Sequence, residues 1–196
     1  MGSPEDVKQA WQRIEAWFSA NAPDYLKRLQ PPATPAAIEQ AESELKQKLP
    51  DDLKVSLQVH NGQNPRAMEI FGTWGLHGLE KAMYSWRKFS GMAEDGTLST
   101  EDSPKIKASP SVRPRQWDHG WLPISPKGSG DHLLLDLDPK DPACRGQVIT
   151  FSPRSSTRQV VAPGFGAWLE QIAADLESGK WVMDEDGKLH QKGQGD

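Results

Sequence analysis

The residues that decide the fold lie between Trp121 and Glu177: W-L-P-I-S (121–125), G-S-G-D-H-L-L-L-D-L-D-P (128–139), G-Q-V-I-T-F (146–151) and F-G-A-W-L-E-Q-I-A-A-D-L-E (165–177). The first three pieces are short apolar runs broken by Gly, Pro and Asp, the punctuation of antiparallel strands. The last differs in period. Phe165, Trp168, Leu169, Ile172, Ala173 and Leu176 recur every three or four residues, which draws one apolar stripe along a helix. Strands are therefore expected at 121–125, 132–137, 147–152 and 158–162, then a helix over 164–178 that Gly179 terminates. Residues 181–183 and 188–190 flank D-E-D-G and form an expected hairpin, because Asp-Gly suits a tight turn.

Upstream the period is helical. Ser3 can cap a helix with Pro4 in its first turn and Asp6 three residues on, and Val7, Ala10, Trp11, Ile14, Trp17 and Phe18 share one face. Thr34-Pro35 opens a second helix that buries Ile38, Ala41, Leu45 and Leu49. Pro50 opens a third, with Leu53 and Leu57 inward and Gly62 as its stop. A strand is expected at 68–71, a glycine-broken turn at 72–78, and a helix over 79–92 with Leu79, Met83, Trp86 and Phe89 inward. Residues 96–117 lose all periodicity and hold Ser, Thr, Pro and charges, which reads as a long loop within one domain. The fold class is thus α+β: an antiparallel or mixed central sheet covered by helices, one domain over 1–196 with a frayed tail at 191–196.

Composition narrows the function. A chain of 196 residues buries about 70% of its unfolded surface and needs no staples. One cysteine, Cys144, leaves no disulfide framework. Net charge is −4 with Lys and Arg scattered, which argues against direct nucleic-acid binding. No apolar run approaches the roughly 20 residues of a bilayer span, and the first residues lack a signal-peptide pattern, so the expected location is the cytoplasm, off the membrane.

No catalytic or metal constellation stands out. Asp131, Asp136 and Asp138, near His119 and His132, come nearest, and Asp136 and Asp138 lie two apart on a strand and so share a face. Gly130-Asp131 and Asp138-Pro139 are also ordinary turn dipeptides, and that reading carries more weight. The five histidines are not spaced as ligands, and Cys144 beside Arg145 lies in a loop without a partnering base. G-S-G-D (128–131) precedes a strand rather than a helix, so it is a turn and not a phosphate loop. No catalytic residue, metal or cofactor is expected. Eight Trp against two Tyr is the compositional oddity: Trp11, Trp17, Trp86 and Trp168 sit on helix stripes, while Trp74, Trp117 and Trp181 flank loops or strand ends, where an exposed ring can anchor a partner.

In order and spacing, several motifs resemble the SMI1/KNR4 (SUKH) superfamily: Trp11, Ile14 and Trp17, P-P-A-T-P-A-A-I-E-Q-A-E (31–42), L-P-D-D-L (49–53), H-N-G-Q (60–63), W-L-P-I (121–124), G-D (130–131), L-D-L-D-P (135–139), G-Q-V (146–148) and F-x-x-W-L from Phe165. The resemblance implies a sheet covered by helices and a protein partner. Many bacterial members are immunity proteins that neutralise a cognate toxin, often a nuclease, and fungal members regulate cell-wall synthesis and signalling. The leading expectation is an immunity protein that occludes its toxin with an acidic, Trp-containing surface: Trp74 and Trp117 as anchors, and Asp131, Asp136, Asp138, Glu185 and Asp186 as charges. The alternative is a regulatory scaffold of the cell-wall type, and an enzyme using Asp131, Asp136 and Asp138 ranks third. The loop at 96–117 and the residues beyond Met183 depart from the family pattern, which marks them as candidate partner-specific surface.

Overall fold

Ser3 opens the first helix as its context requires. Its Oγ accepts from the Asp6 N–H (3.2 Å) while the Asp6 carboxylate accepts from the Ser3 N–H (2.7 Å), a reciprocal capping box ahead of α1 (Pro4–Asn21). The structure, a computed structural model, describes residues 3–67 and 69–192. After α1 come α2 (Pro23–Leu26), α3 (Pro35–Leu45), α4 (Asp51–Val59) and α5 (Leu79–Glu94). The strands are β1 (Lys107–Ala108), β2 (Trp121–Pro126), β3 (His132–Asp136), β4 (Gln147–Phe151), β5 (Thr157–Arg158) and β6 (Val160–Ala162). Helix α6 (Phe165–Glu177) and the hairpin β7 (Trp181–Met183) and β8 (Leu189–Gln191) complete the chain. The central sheet runs β2-β3-β4-β6, antiparallel throughout, with β1 and β5 as a short parallel pair. This is the expected α+β class.

The middle strands are buried on both faces, which is why β3 reads L-L-L instead of alternating. Leu122, Ile124, Leu133, Leu135 and Val148 face the helices and join Trp11, Ile14 and Phe18 of α1 and Phe165, Leu169 and Ile172 of α6 in the main core. Trp121, Leu134, Ile149 and Phe151 face the other way, into a second core.

Residues 96–117 form a long, largely irregular segment that closes that second core, so its apolar residues serve as cover rather than as partner surface. Leu98, Val112 and Trp117 are buried there against Phe89, Trp121 and Phe151, although the segment has almost no regular structure. Polar fastenings complete the cover. Ser111 Oγ donates to Gln147 Oε1 (2.7 Å), Arg113 Nε donates to the Asp138 carbonyl (3.0 Å), and Arg115 bridges Asp102 and Asp118 (2.6 and 2.8 Å). Arg158 is fully buried and joins no ion pair among the described residues. Its guanidinium lies 4.9 Å from the Phe151 ring, donates to the carbonyls of Gln116, Ser155 and Thr157, and has its pKa lowered to about 10 by burial.

Two helices begin at a glycine that cannot cap them, Gly78 before α5 and Gly164 before α6. Their caps come from elsewhere in the chain. Asn61 Oδ1 accepts from the Leu79 N–H (2.8 Å), and buried Asp52 accepts from the Gly166 N–H (3.0 Å) and from the Leu53 N–H (2.8 Å). Gln63 grips the segment before α5: its N–H donates to the Leu76 carbonyl (2.9 Å) and its Oε1 accepts from the Leu76 N–H (2.9 Å). Gly62 (φ +69°) crosses Gly78 so closely that a Cβ on it would lie 2.1 Å from the Gly78 nitrogen. The L-P-D-D-L and H-N-G-Q motifs are therefore scaffolding that joins α4 to α5 and α6.

Smaller differences have local causes. Helix α4 stops at Val59, short of Gly62, since His60 is already extended. Of the strand expected at 68–71, Met68 lies outside the described residues, and among the described residues 69–71 form no strand, Phe71 making an isolated bridge to Trp74. The strand expected at 158–162 is divided at Gln159. The terminal hairpin forms and is tied down where the Leu189 N–H donates to Tyr25 Oη (2.9 Å); residues 193–196 of the expected tail lie outside the described residues.

Candidate partner-binding groove

An open groove of about 470 Å³ crosses the end of the sheet between α6, the 71–74 turn and the terminal hairpin. Leu133 and Thr150 form part of its floor, Trp168, Ile172 and Asp175 its helical wall, and Trp74 and Trp181 its aromatic rim. It runs on into a second hollow of about 450 Å³, with Gly72, Thr73, Lys127 and His190 common to both.

Local backbone rules build the rim. Phe71 and Trp74 exchange N–H···O bonds (2.9 and 3.0 Å) across a tight turn, with Gly72 at φ +65°. The Trp181 indole lies directly on that turn, where a Cβ on Gly72 would fall 1.8 Å from Trp181 Cζ3. Phe71 meets Trp168 edge-on at 5.9 Å, and Lys127, bridged to Trp74 through the backbone, holds its ammonium 5.5 Å from the Trp74 ring. Asp175 is a settled charge in the wall. Burial raises its pKa, but the Lys180 ion pair (2.7 Å) and the Gln171 amide outweigh burial and hold it below the usual range. Lys127 joins no ion pair among the described residues, although its charge helps to hold the Asp131 pKa low, so the groove offers aromatic surface with a cation at its edge.

The seven expected contact residues do not form one surface. Trp74 is half-buried on the groove rim. Asp131 closes the turn between β2 and β3, where Ser129 Oγ donates to it (2.7 Å), and Ser152 and Ser129 hold its pKa low. Glu185 and Asp186 are exposed at the tip of the terminal hairpin, next to residues that line the second hollow. The remaining three lie at the opposite end of β3. Trp117 is fully buried in the second core and cannot anchor a partner, which corrects that expectation. Asp136 is fully buried too. Burial pushes its pKa up to about 6, against the Gln147 amide (2.9 Å) and the Asp138 N–H (3.2 Å). Asp138 is half-buried and pairs with Arg113 at 3.4 Å. The L-D-L-D end of β3 thus fastens the cover segment.

Among the described residues no three His, Cys, Asp or Glu side chains come together as a metal site. Two Ser–His contacts occur among the described residues, Ser85–His77 (3.3 Å) and Ser90–His119 (3.2 Å), and among those residues neither ring is hydrogen-bonded to a carboxylate that could orient it for nucleophilic catalysis. No described helix is long and apolar enough to cross a membrane. Sequence reasoning named Trp181 beside Trp74 as a possible anchor without joining the two, and it passed over Lys127, His190 and Gly72. The partners of Trp181 stand far away in the chain, and the only local signal was its place at a strand start.

The profile of the SMI1 / KNR4 family (SUKH-1) matches residues 32–171. The chain is 29% identical over 194 residues to the "Cell wall biosynthesis/cell cycle regulator smi1" of Schizosaccharomyces pombe, covering 93% of this chain and 38% of that protein. It is 27% identical to the "Glucan synthesis regulatory protein" of Neurospora crassa, over 92% of this chain and 40% of that protein. It is also 27% identical to the "Cell wall assembly regulator SMI1" of Saccharomyces cerevisiae, over 95% and 44%. The chain spans about two fifths of the length of these curated relatives.

Proposed function

Because the chain belongs to the SMI1 / KNR4 family (SUKH-1), we propose that it is a non-enzymatic protein-binding module of the wall-synthesis regulatory kind, and that the Trp74–Trp181 groove receives its partner. The observation that carries the regulatory reading is the extent of the likeness. Three proteins named as regulators of wall biosynthesis, glucan synthesis or wall assembly align with more than nine tenths of this chain. The groove supports the binding part, because aromatic rims over an apolar floor are where interfaces concentrate their affinity. Toxin neutralisation, the family's other theme, has less support: of the acidic face expected for it, Asp136 is buried and Asp138 is paired with Arg113.

The test replaces the matching region of the fission-yeast regulator with this chain, in cells lacking their own copy, and measures β-glucan content and growth under wall stress. Rescue that is lost in a folded Trp74→Ala/Trp181→Ala variant supports both parts of the proposal. Equal rescue by that variant removes the groove. No rescue by a soluble, expressed chimera refutes the regulatory reading.

A further inference from the structure

The solvent side of α5 carries Lys81, Tyr84 and Lys88, three and four residues apart and so on one stripe. Tyr84 is 62% exposed, the most open of the large hydrophobic side chains among the described residues. The Lys81 ammonium stands 5.6 Å from its ring, and that of Lys88 5.7 Å from the ring of Phe89. Neither lysine has an acidic residue three or four positions away along the helix. Neither joins an ion pair among the described residues, whereas Arg87 on the same helix is clamped to Glu44 through two bonds (2.6 and 2.7 Å). Behind the stripe, the rings of His77 and His132 lie 6.0 Å apart, and burial lowers the pKa of both, with Lys81 and Lys88 reinforcing the effect. A chain of net charge −4 thus presents two unpaired cations around its most open aromatic ring.

A cleft of about 310 Å³ opens beside this stripe, lined by Tyr84, Lys81 and Ser85 on α5 and by Pro65, Gly75 and Pro126 opposite. Glu69 also lines it, placed toward Gly128 and the turn between β2 and β3.

We propose that this stripe docks a short acidic segment of a partner protein, with carboxylates on Lys81 and Lys88 and an apolar side chain in the cleft beside Tyr84. The charge pattern selects the sign and the helix sets the spacing. Lys81 and Lys88 are two turns apart, about 10 Å along α5. A polyproline-type segment covers about 9 Å in three residues and returns to the same face, so Glu-x-x-Glu meets both ammonium groups. Glu69 sets the limit: the residue reaching the far end of the cleft is uncharged. Exposed lysine pairs are individually weak, so binding depends on both lysines together with the ring. The stripe shares no lining residue with the Trp74–Trp181 groove, and Glu69 alone lines both its cleft and the second hollow, so variants of the lysines and of the groove tryptophans report on different surfaces.

The experiment measures fluorescence anisotropy of a labelled Glu-Pro-Leu-Glu repeat peptide with the full chain, beside a Lys-Pro-Leu-Lys control and a single-stranded oligonucleotide of matched charge. Saturable binding of the acidic peptide is expected, falling with salt and weakened about ten-fold by K81E/K88E and several-fold by Y84A, with Lys8→Glu on the exposed side of α1 leaving it unchanged. Circular dichroism confirms that the variants fold, and K81Q/K88Q gives an intermediate loss. No saturable binding, equal binding by K81E/K88E, or tighter binding of the oligonucleotide than of the acidic peptide would each overturn the proposal.

Discussion

Replacing Asp136 with Asn should make stability rise more steeply with pH between 4.5 and 6 than it does in the wild type. Burial holds the Asp136 pKa near 6 rather than 3.8, so the folded state binds the extra proton. Its contribution is present below pH 3.8 and is lost as pH rises through 6. The shift is worth on the order of 3 kcal/mol at about 1.4 kcal/mol per pH unit. His77 works in the opposite direction. Burial lowers its pKa from 6.5 to about 4, so the unfolded state takes the proton first, and stability is lost as pH falls from 6.5 through 4. That shift is also on the order of 3 kcal/mol, in almost the same window. His132, lowered by burial, adds to the His77 side. Between pH 4.5 and 6 the Asp136 and His77 terms, of opposite sign, nearly cancel in the wild type. Asp136→Asn removes one of them and leaves stability rising by about 1 kcal/mol or more per pH unit. His77→Gln should give the mirror image, a slope that falls with pH. The assay is urea unfolding followed by tryptophan fluorescence at half-unit steps from pH 4.5 to 7, read as the difference between variant and wild type, because Glu42, Glu44 and Glu177, each lowered from 4.5, add the same rise to both curves at the acid end. Parallel curves for Asp136→Asn and wild type would refute the reasoning, because Asp136 would then titrate alike in the folded and unfolded chains.

Three further outcomes follow from packing and capping. Asp52→Ala should cost about 2–3 kcal/mol, because it removes a buried acceptor from the first turn of α6, with Asp52→Asn costing less; chemical denaturation reads both. Trp117→Ala should cost about 3–5 kcal/mol, near the whole stability of a small domain, and thermal unfolding with a hydrophobic dye should show the second core opening first. Gly72→Ala should shift the Trp181 emission and reduce partner binding, with about 1 kcal/mol or more lost to the left-handed backbone; unchanged emission would mean that the indole does not rest on that turn.

The sequence was most legible where a period exists. The stripes of α1, α3, α5 and α6 placed Trp11, Ile38, Met83 and Leu169 in the main core, and D-G placed the terminal hairpin. It was least legible where structure is held without a period. Leu98, Ile106, Val112 and Trp117 are spaced irregularly, yet all four are buried, since covering a sheet face requires apolar side chains at suitable points in space and no repeat along the chain. For the same reason a Trp beside a loop could not be sorted by exposure: Trp74 reached a groove rim and Trp117 the bottom of a core. Asp136 shows the limit of alternation as a guide. It tells which residues share a face of β3, and it does not tell whether water reaches that face.

The caps that Asp52 and Asn61 lend to helices they do not belong to bear on how the chain can reach this fold. The Asp52–Gly166 bond spans 114 residues, the Arg13–Glu177 pair 164, and the Tyr25–Leu189 bond 164. During synthesis the first four helices must therefore wait, with α6 uncapped and the main core open on one side, until the last helix has left the ribosome. Such late closure makes folding slow and cooperative, with no stable half. Two fragments divided within 96–117 should each remain unfolded alone and become ordered only when mixed, as a single bimolecular step.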